Sequence, residues 1–120
     1  MSKVLLVEDN PSQSELMEGY LREGGHTVIR LNNAKEALNK AIEHKPDVIV
    51  TDVVMPGMSG FELCRRIKNN PLTTKIPIVI CSSKDQEIDR LWGMKQGADA
   101  YLTKPFSREQ LVRAVNLAVV

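Results

Sequence analysis

A chain of 120 residues with 42% hydrophobic side chains can bury one ordinary core, so residues 1–120 are expected to form one domain with no room for a second. Sixteen Lys and Arg against fifteen Asp and Glu give a formal charge of +1, which excludes electrostatic capture by nucleic acid or an anionic membrane. The opening MSKVLLVEDN has four consecutive apolar residues before an acidic pair, too few for a signal peptide or a span, so a cytoplasmic protein without membrane insertion is expected.

Short apolar runs alternate with helical patterns along the chain. KVLLV (3–7) reads as a strand, and Asn10 with Gln13 three residues on opens a helix with Pro11 at its first position, where a missing N–H does no harm. TVIRL (27–31) carries Arg30 in its middle, which suits an edge strand. Asn33 and Glu36 begin the next helix, whose Ala34, Ala37, Leu38, Ala41 and Ile42 form one apolar face. DVIVT (47–51) is the third strand, and Ser59 with Glu62 opens the third helix. IPIVIC (76–81) is the fourth strand, followed by Ser83 with Gln86 as a helix start. Ile88, Leu91 and Trp92 then share a helix face; such faces usually turn into the core, which is favoured for Trp92, and if exposed beside the fifth strand and fifth helix Trp92 is instead a candidate partner contact. AYLT (100–103) is the last strand, and Ser107 with Gln110 opens a last helix whose Leu111, Ala114, Val115 and Ala118 lie on one face.

Most of these strands lack polar alternation, as strands covered on both faces do. The pattern is (βα)5, and crossovers of this length impose parallel strands and right-handed connections. The expected fold is an α/β, flavodoxin-like, doubly wound sheet of order 2-1-3-4-5. Cys64 and Cys81 lie in apolar patterns without metal-ligand spacing and read as small buried hydrophobes. His26 and His44 fall away from the strand ends that matter and read as structural.

In such a sheet, ligands bind beyond the carboxyl ends of the strands, near the point where strand order reverses. The first run ends in Glu8-Asp9, the third in Asp52, the fourth in Ser82-Ser83 and the fifth in Lys104-Pro105. Three carboxylates that close repel one another unless cations compensate. Lys104 supplies one positive charge, and a hard divalent ion such as Mg²⁺ suits the remaining oxygen donors. Singly, each residue has a plain alternative. Asp52 alone reads as a turn or cap aspartate, Lys104 as a solvated lysine, and Tyr101 as a half-buried strand aromatic. Only their register with one another favours chemistry.

The acidic pair in VEDN, the strand end TDVVMPGMSGFEL, the ICSS run and YLTKPF together resemble the receiver domain of two-component response regulators, over essentially the whole chain. With no output domain expected, the chain is similar to the single-domain, chemotaxis-type (CheY-like) regulators. Its ICSSK…W…QGADAYLTKPF region resembles the small regulators of type IV pilus twitching motility. The resemblance implies that Asp52 is the phosphoacceptor and that Asp9 and Asp52 ligate Mg²⁺ directly. Glu8 would act through water, and the backbone carbonyl of Val54 would complete the protein ligands. Lys104 would pair first with Asp52 and then with a phosphoryl oxygen. Ser82 would be the switch hydroxyl and Tyr101 the aromatic that follows it, and the Lys104-Pro105 bond would be cis.

The implied function is a stand-alone switch, not a turnover enzyme. It would accept a phosphoryl group from a histidine kinase or phosphotransfer protein. It would then bind a downstream protein through the face of the fourth helix, fifth strand and fifth helix, as a monomer or weak dimer. Three features depart from the family pattern. Glu8 stands where Asp is more frequent, Ser83 where Ala is frequent, and an apolar Val54 beside Lys84 at the positions that tune dephosphorylation. An alternative is a degenerate receiver that binds proteins without phosphorylation, against which intact Asp9, Asp52, Ser82 and Lys104 weigh. A haloacid-dehalogenase-type phosphatase needs a second Asp two residues after the nucleophile, where Val54 stands. A flavodoxin-like cofactor carrier needs a phosphate cradle, and VEDNPSQSE places acids there instead.

Overall fold

A computed structural model describes residues 2–120. Strands β1 (Lys3–Val7), β2 (Thr27–Leu31), β3 (Val48–Thr51), β4 (Ile78–Ser82) and β5 (Ala100–Thr103) alternate with five helices. These are α1 (Pro11–Glu23), α2 (Ala37–His44), α3 (Gly60–Asn69), α4 (Glu87–Lys95) and α5 (Arg108–Ala118). The sheet has the order β2-β1-β3-β4-β5, with every pair parallel. The doubly wound, flavodoxin-like expectation is met.

Strand alternation divides the interior into two cores. Leu5, Val7, Ile49, Ile78 and Ile80 point to one face and pack with Ala37 and Ala41 of α2 and Leu63 and Ile67 of α3. Val4, Leu6, Val48, Val50, Val79 and Cys81 point to the other and meet Met17 and Leu21 of α1 and Leu111 and Val115 of α5. Both cysteines are buried and unpaired. At the β2 edge Arg30 stays exposed and pairs with Glu18 at 3.4 Å.

Three of the five expected caps form as read. Asn10, Ser59 and Ser107 accept hydrogen bonds from the amides of Gln13, Glu62 and Gln110, at 3.0, 3.2 and 3.1 Å. The other two differ. Asn33 does accept from the Glu36 amide at 3.2 Å, but it closes a turn ahead of α2, which begins at Ala37. At α4 the cap is Gln86, whose amide donates to the Asp89 carboxylate at 3.2 Å, so the helix starts three residues beyond the Ser83 reading.

The core reading of Trp92 is overturned. Ile88, Leu91 and Trp92 are 68, 57 and 46% exposed, and Gly93 is the buried residue of α4. A β-carbon at Gly93 would stand 3.0 Å from the Tyr101 ring and 3.2 Å from Ile80. The helix thus lies on the sheet along its glycine side, which turns the apolar stripe outwards.

His26 is buried and bonds to Asn116 of α5 through Nε2 at 2.9 Å. His44 closes the last turn of α2. Both have structural settings.

Candidate functional site

Parallel register brings the strand ends level. Val7 lies opposite Thr51, Thr51 opposite Ile80, and Ser82 opposite Thr103. Beyond those ends the ladder continues for one more step. The Asp52 amide donates to Val7 O at 3.1 Å, and the Lys104 amide donates to Ser82 O at 2.8 Å. The residues that follow each apolar run are therefore forced onto one edge of the sheet.

There, oxygens of Glu8, Asp9 and Asp52 all lie within 4.8 Å of one another. Glu8 is almost wholly buried; its Oε2 accepts from the Asn10 amide at 3.1 Å, and its Oε1 from Lys104 Nζ at 2.6 Å. Lys104 Nζ stands 3.6 Å from Asp52 Oδ2, while Asp52 Oδ1 accepts from the Val53 amide at 2.7 Å. The ammonium group is thus shared: it pairs with Asp52, as the resemblance implies, and lies closer still to Glu8. Burial works against the charge on Lys104. Its hydrogen bond to Glu8 and the field of Asp52 outweigh it, so the Lys104 pKa is raised.

An open cleft of about 510 Å³ covers this cluster, lined by residues that include Asp9, Asn10, Gln13, Ser83 and Pro105. Asn10 and Gln13 were not singled out as site residues; their capping role hides their place on the cleft wall. The Lys104-Pro105 peptide is cis, as the resemblance implies. Val54 has an exposed side chain just beyond Asp52.

Loop 52–60 is shaped by its glycines. Gly57 has φ +79°, which side chains rarely adopt. A β-carbon at Gly60 would run into the Asp52 carbonyl oxygen. The start of α3 is pressed onto the end of β3, and that contact fixes where Asp52 sits.

Ser82 is fully buried and does not line the cleft. Its Oγ accepts from the Lys84 amide at 3.1 Å. Tyr101 is turned inwards at 8% exposure, and its hydroxyl donates to the Lys84 carbonyl at 2.7 Å. Burial raises its phenolic pKa. Ser82 and Tyr101 therefore meet at one residue, behind the cleft and not within it.

Three carboxylates face one ammonium group, which leaves two formal negative charges uncompensated. The donor set is all oxygen and opens to solvent on one side. It fits a hard divalent cation that keeps several waters, and Mg²⁺ before softer metals.

An acidic sheet edge of this kind agrees with the family comparison. The chain matches the response regulator receiver domain over residues 4–116, and it belongs to that family. It is 39% identical over 116 residues to the protein PilH of Pseudomonas aeruginosa, covering 97% of this chain and 96% of PilH. The chemotaxis protein CheY4 of Vibrio cholerae superposes with a TM-score of 0.91 at 31% identity, covering 98% of each chain. The receiver domain of the sensor histidine kinase PA1611 from Pseudomonas aeruginosa has a TM-score of 0.90 at 29% identity, covering 98% of this chain and 97% of its own. Its structure has a magnesium ion coordinated in the active site cleft.

Proposed function

We propose that this receiver domain is a phosphorylation switch. Asp52 accepts a phosphoryl group from a phosphohistidine of a kinase or phosphotransfer protein, and the modified domain changes its binding to a downstream protein. The observation that carries this reading is the convergence of Glu8, Asp9 and Asp52 around a cleft with Lys104 at its wall.

The Asp52 carboxylate attacks phosphorus as the P–N bond to the imidazole breaks, giving an acyl phosphate and a free histidine. Asp9 and Asp52, with Glu8 through water and the Val54 carbonyl, would hold Mg²⁺. A divalent cation there would neutralise charge on the oxygens of the transferred group. Lys104 leaves its 2.6 Å contact with Glu8 to reach a phosphoryl oxygen. Ser82 Oγ exchanges the Lys84 amide for another phosphoryl oxygen, which frees the space that Tyr101 then follows. An acyl phosphate adds charge at a place where Lys104 and Ser82 both move to meet it.

Turnover chemistry is not part of this reading: the domain gains one phosphoryl group and loses it to water. The downstream partner docks on the face of α4, β5 and α5. The exposed Ile88, Leu91 and Trp92 give that face apolar anchors. Likeness to PilH supports a place in pilus or motility control, in the cytoplasm. Among the described residues no helix is long and apolar enough to cross a membrane.

The test is intact-protein mass after incubation with Mg²⁺ and a small acyl phosphate, beside Asp52→Asn. One phosphoryl group gained by the parent, dependent on Mg²⁺ and lost in the variant, is the expected result. No gain, together with no Mg²⁺ binding, would establish a phosphorylation-independent binding module instead.

A further inference from the structure

Helices α1 and α5 open on the same cap pattern, a small polar residue with Gln three positions on, and close it differently. At α5 the cap is reciprocal. Ser107 Oγ accepts from the Gln110 amide at 3.1 Å, and the Ser107 amide donates back to Gln110 Oε1 at 2.8 Å. At α1 only the first half forms. Asn10 Oδ1 accepts from the Gln13 amide at 3.0 Å, but the Asn10 amide donates to Glu8 Oε2 at 3.1 Å. Glu8 thus occupies the place that the Gln13 side chain would fill.

The Gln13 carboxamide is left over, and it stands on the wall of the cleft that holds Asp52. Among the described residues it has no hydrogen-bond partner. Of the other uncharged polar side chains on that wall, Asn10 has given its oxygen to the cap, and Ser83 is short and exposed. In an in-line displacement the leaving group departs on the side of phosphorus away from the attacking oxygen. Asp52 is partly buried, so that side is the open mouth of the cleft. A free carboxamide there offers both a donor and an acceptor.

We propose that Gln13 is a specificity-determining residue that hydrogen-bonds the leaving group of the phosphodonor. The proposal rests on the reading of Asp52 as phosphoacceptor. As the Asp52 oxygen bonds to phosphorus, the P–O bond of an acyl phosphate breaks and its carboxylate keeps the electron pair. Gln13 Nε2 donates to that carboxylate. From N-protonated phosphoramidate the P–N bond breaks instead, ammonia keeps the pair, and Gln13 Oε1 accepts one of its N–H bonds. A phosphohistidine protonated on its other ring nitrogen leaves as neutral imidazole, whose remaining N–H meets the same oxygen. A neutral carboxamide serves all three.

The test is the rate of phosphoryl gain from acetyl phosphate and from phosphoramidate, read by intact-protein mass and expressed as a ratio. Gln13→Glu puts an acceptor-only anion where the carboxylate leaves, so the ratio of acetyl phosphate to phosphoramidate should fall about fivefold. An acid suits the first turn of a helix, so folding is kept. Ser12→Glu adds the same charge one residue away and off the cleft wall, and should leave the ratio at the parent value. Gln13→Ala loses one hydrogen bond to either leaving group and should slow both donors by about two- to tenfold. The parent ratio in Gln13→Glu, an equal fall in Ser12→Glu, or undiminished rates in Gln13→Ala would each overturn the proposal. A parent that gains no phosphoryl group from either donor would overturn the phosphoacceptor reading itself.

Discussion

Asp9 illustrates how a site residue can work against the fold that carries it. It adds a third carboxylate to a cluster already holding Glu8 and Asp52, with one ammonium nearby. Like charges this close destabilise the metal-free state, and function accepts that loss. Asp9→Asn should raise stability by about 1 kcal/mol without divalent ions, as removal of one repelling charge does. Mg²⁺ should stabilise the parent, and Asp9→Asn should abolish that gain. Urea melts with and without Mg²⁺ measure both, and a less stable variant in the metal-free state contradicts the charge argument. Val54 makes a second residue-scale prediction. Its apolar, exposed side chain cannot orient an attacking water, so Val54→Asn should shorten the phosphoryl lifetime severalfold. Equal or slower loss of phosphate in the variant would show that position 54 does not govern hydrolysis. At this scale Glu8, Asp52 and Lys104 were legible because each directly follows an apolar run, and Asp9 because it comes one residue later. Asn10 and Gln13 were not, since their capping role hides their place on the cleft wall.

At the scale of elements, α3 and α4 show what a pattern does and does not reveal. Ser59 caps α3 where its spacing placed it, and Gly60 is needed because the helix start abuts the Asp52 carbonyl. Gly60→Ala should therefore displace α3 or Asp52. A stability loss of about 2 kcal/mol or more is expected, as overpacking against backbone gives, with phosphoryl gain impaired beyond what stability explains. The stripe of Ile88, Leu91 and Trp92 was legible as a stripe, but its direction was not. Helical periodicity is the same whether an apolar face meets its own sheet or another protein. What decided the matter was Gly93, whose missing side chain lets α4 lie against Tyr101 and Ile80. Trp92→Ala should accordingly change stability by less than about 1 kcal/mol, against the 3–5 of a core tryptophan. A loss in the core range would mean that Trp92 packs inwards.

Across the whole molecule, the sheet order was legible from the (βα)5 succession of elements, and the covering of both sheet faces from the lack of polar alternation in most strands. The exact helix starts were less so, because residues 33–36 and 83–86 carry capping chemistry that serves turns as well as helices. The buried thiols add a property of the folded state as a unit. Cys64 packs in one core and Cys81 in the other. Burial raises the Cys64 thiol from 9.0 to about 11, and the Cys81 thiol from 9.0 to about 12. A folded-state pKa above the unfolded value gives stability that is complete below pH 9 and is lost as pH rises through the folded pKa. In that window the unfolded chain releases protons that the native protein retains, so alkali favours unfolding. The raised pKa values of Tyr101 and Lys104 act with the same sign, so the parent curve alone does not isolate a thiol. Cys64→Ala does. Its stability deficit, a cavity effect, should be constant up to pH 9 and should shrink towards pH 11, by at most about 1.4 kcal/mol per pH unit. Denaturant melts of parent and variant at pH 7, 9, 10 and 11 measure the difference. A deficit that stays constant across that range would mean the Cys64 thiol ionises as readily in the fold as in the open chain.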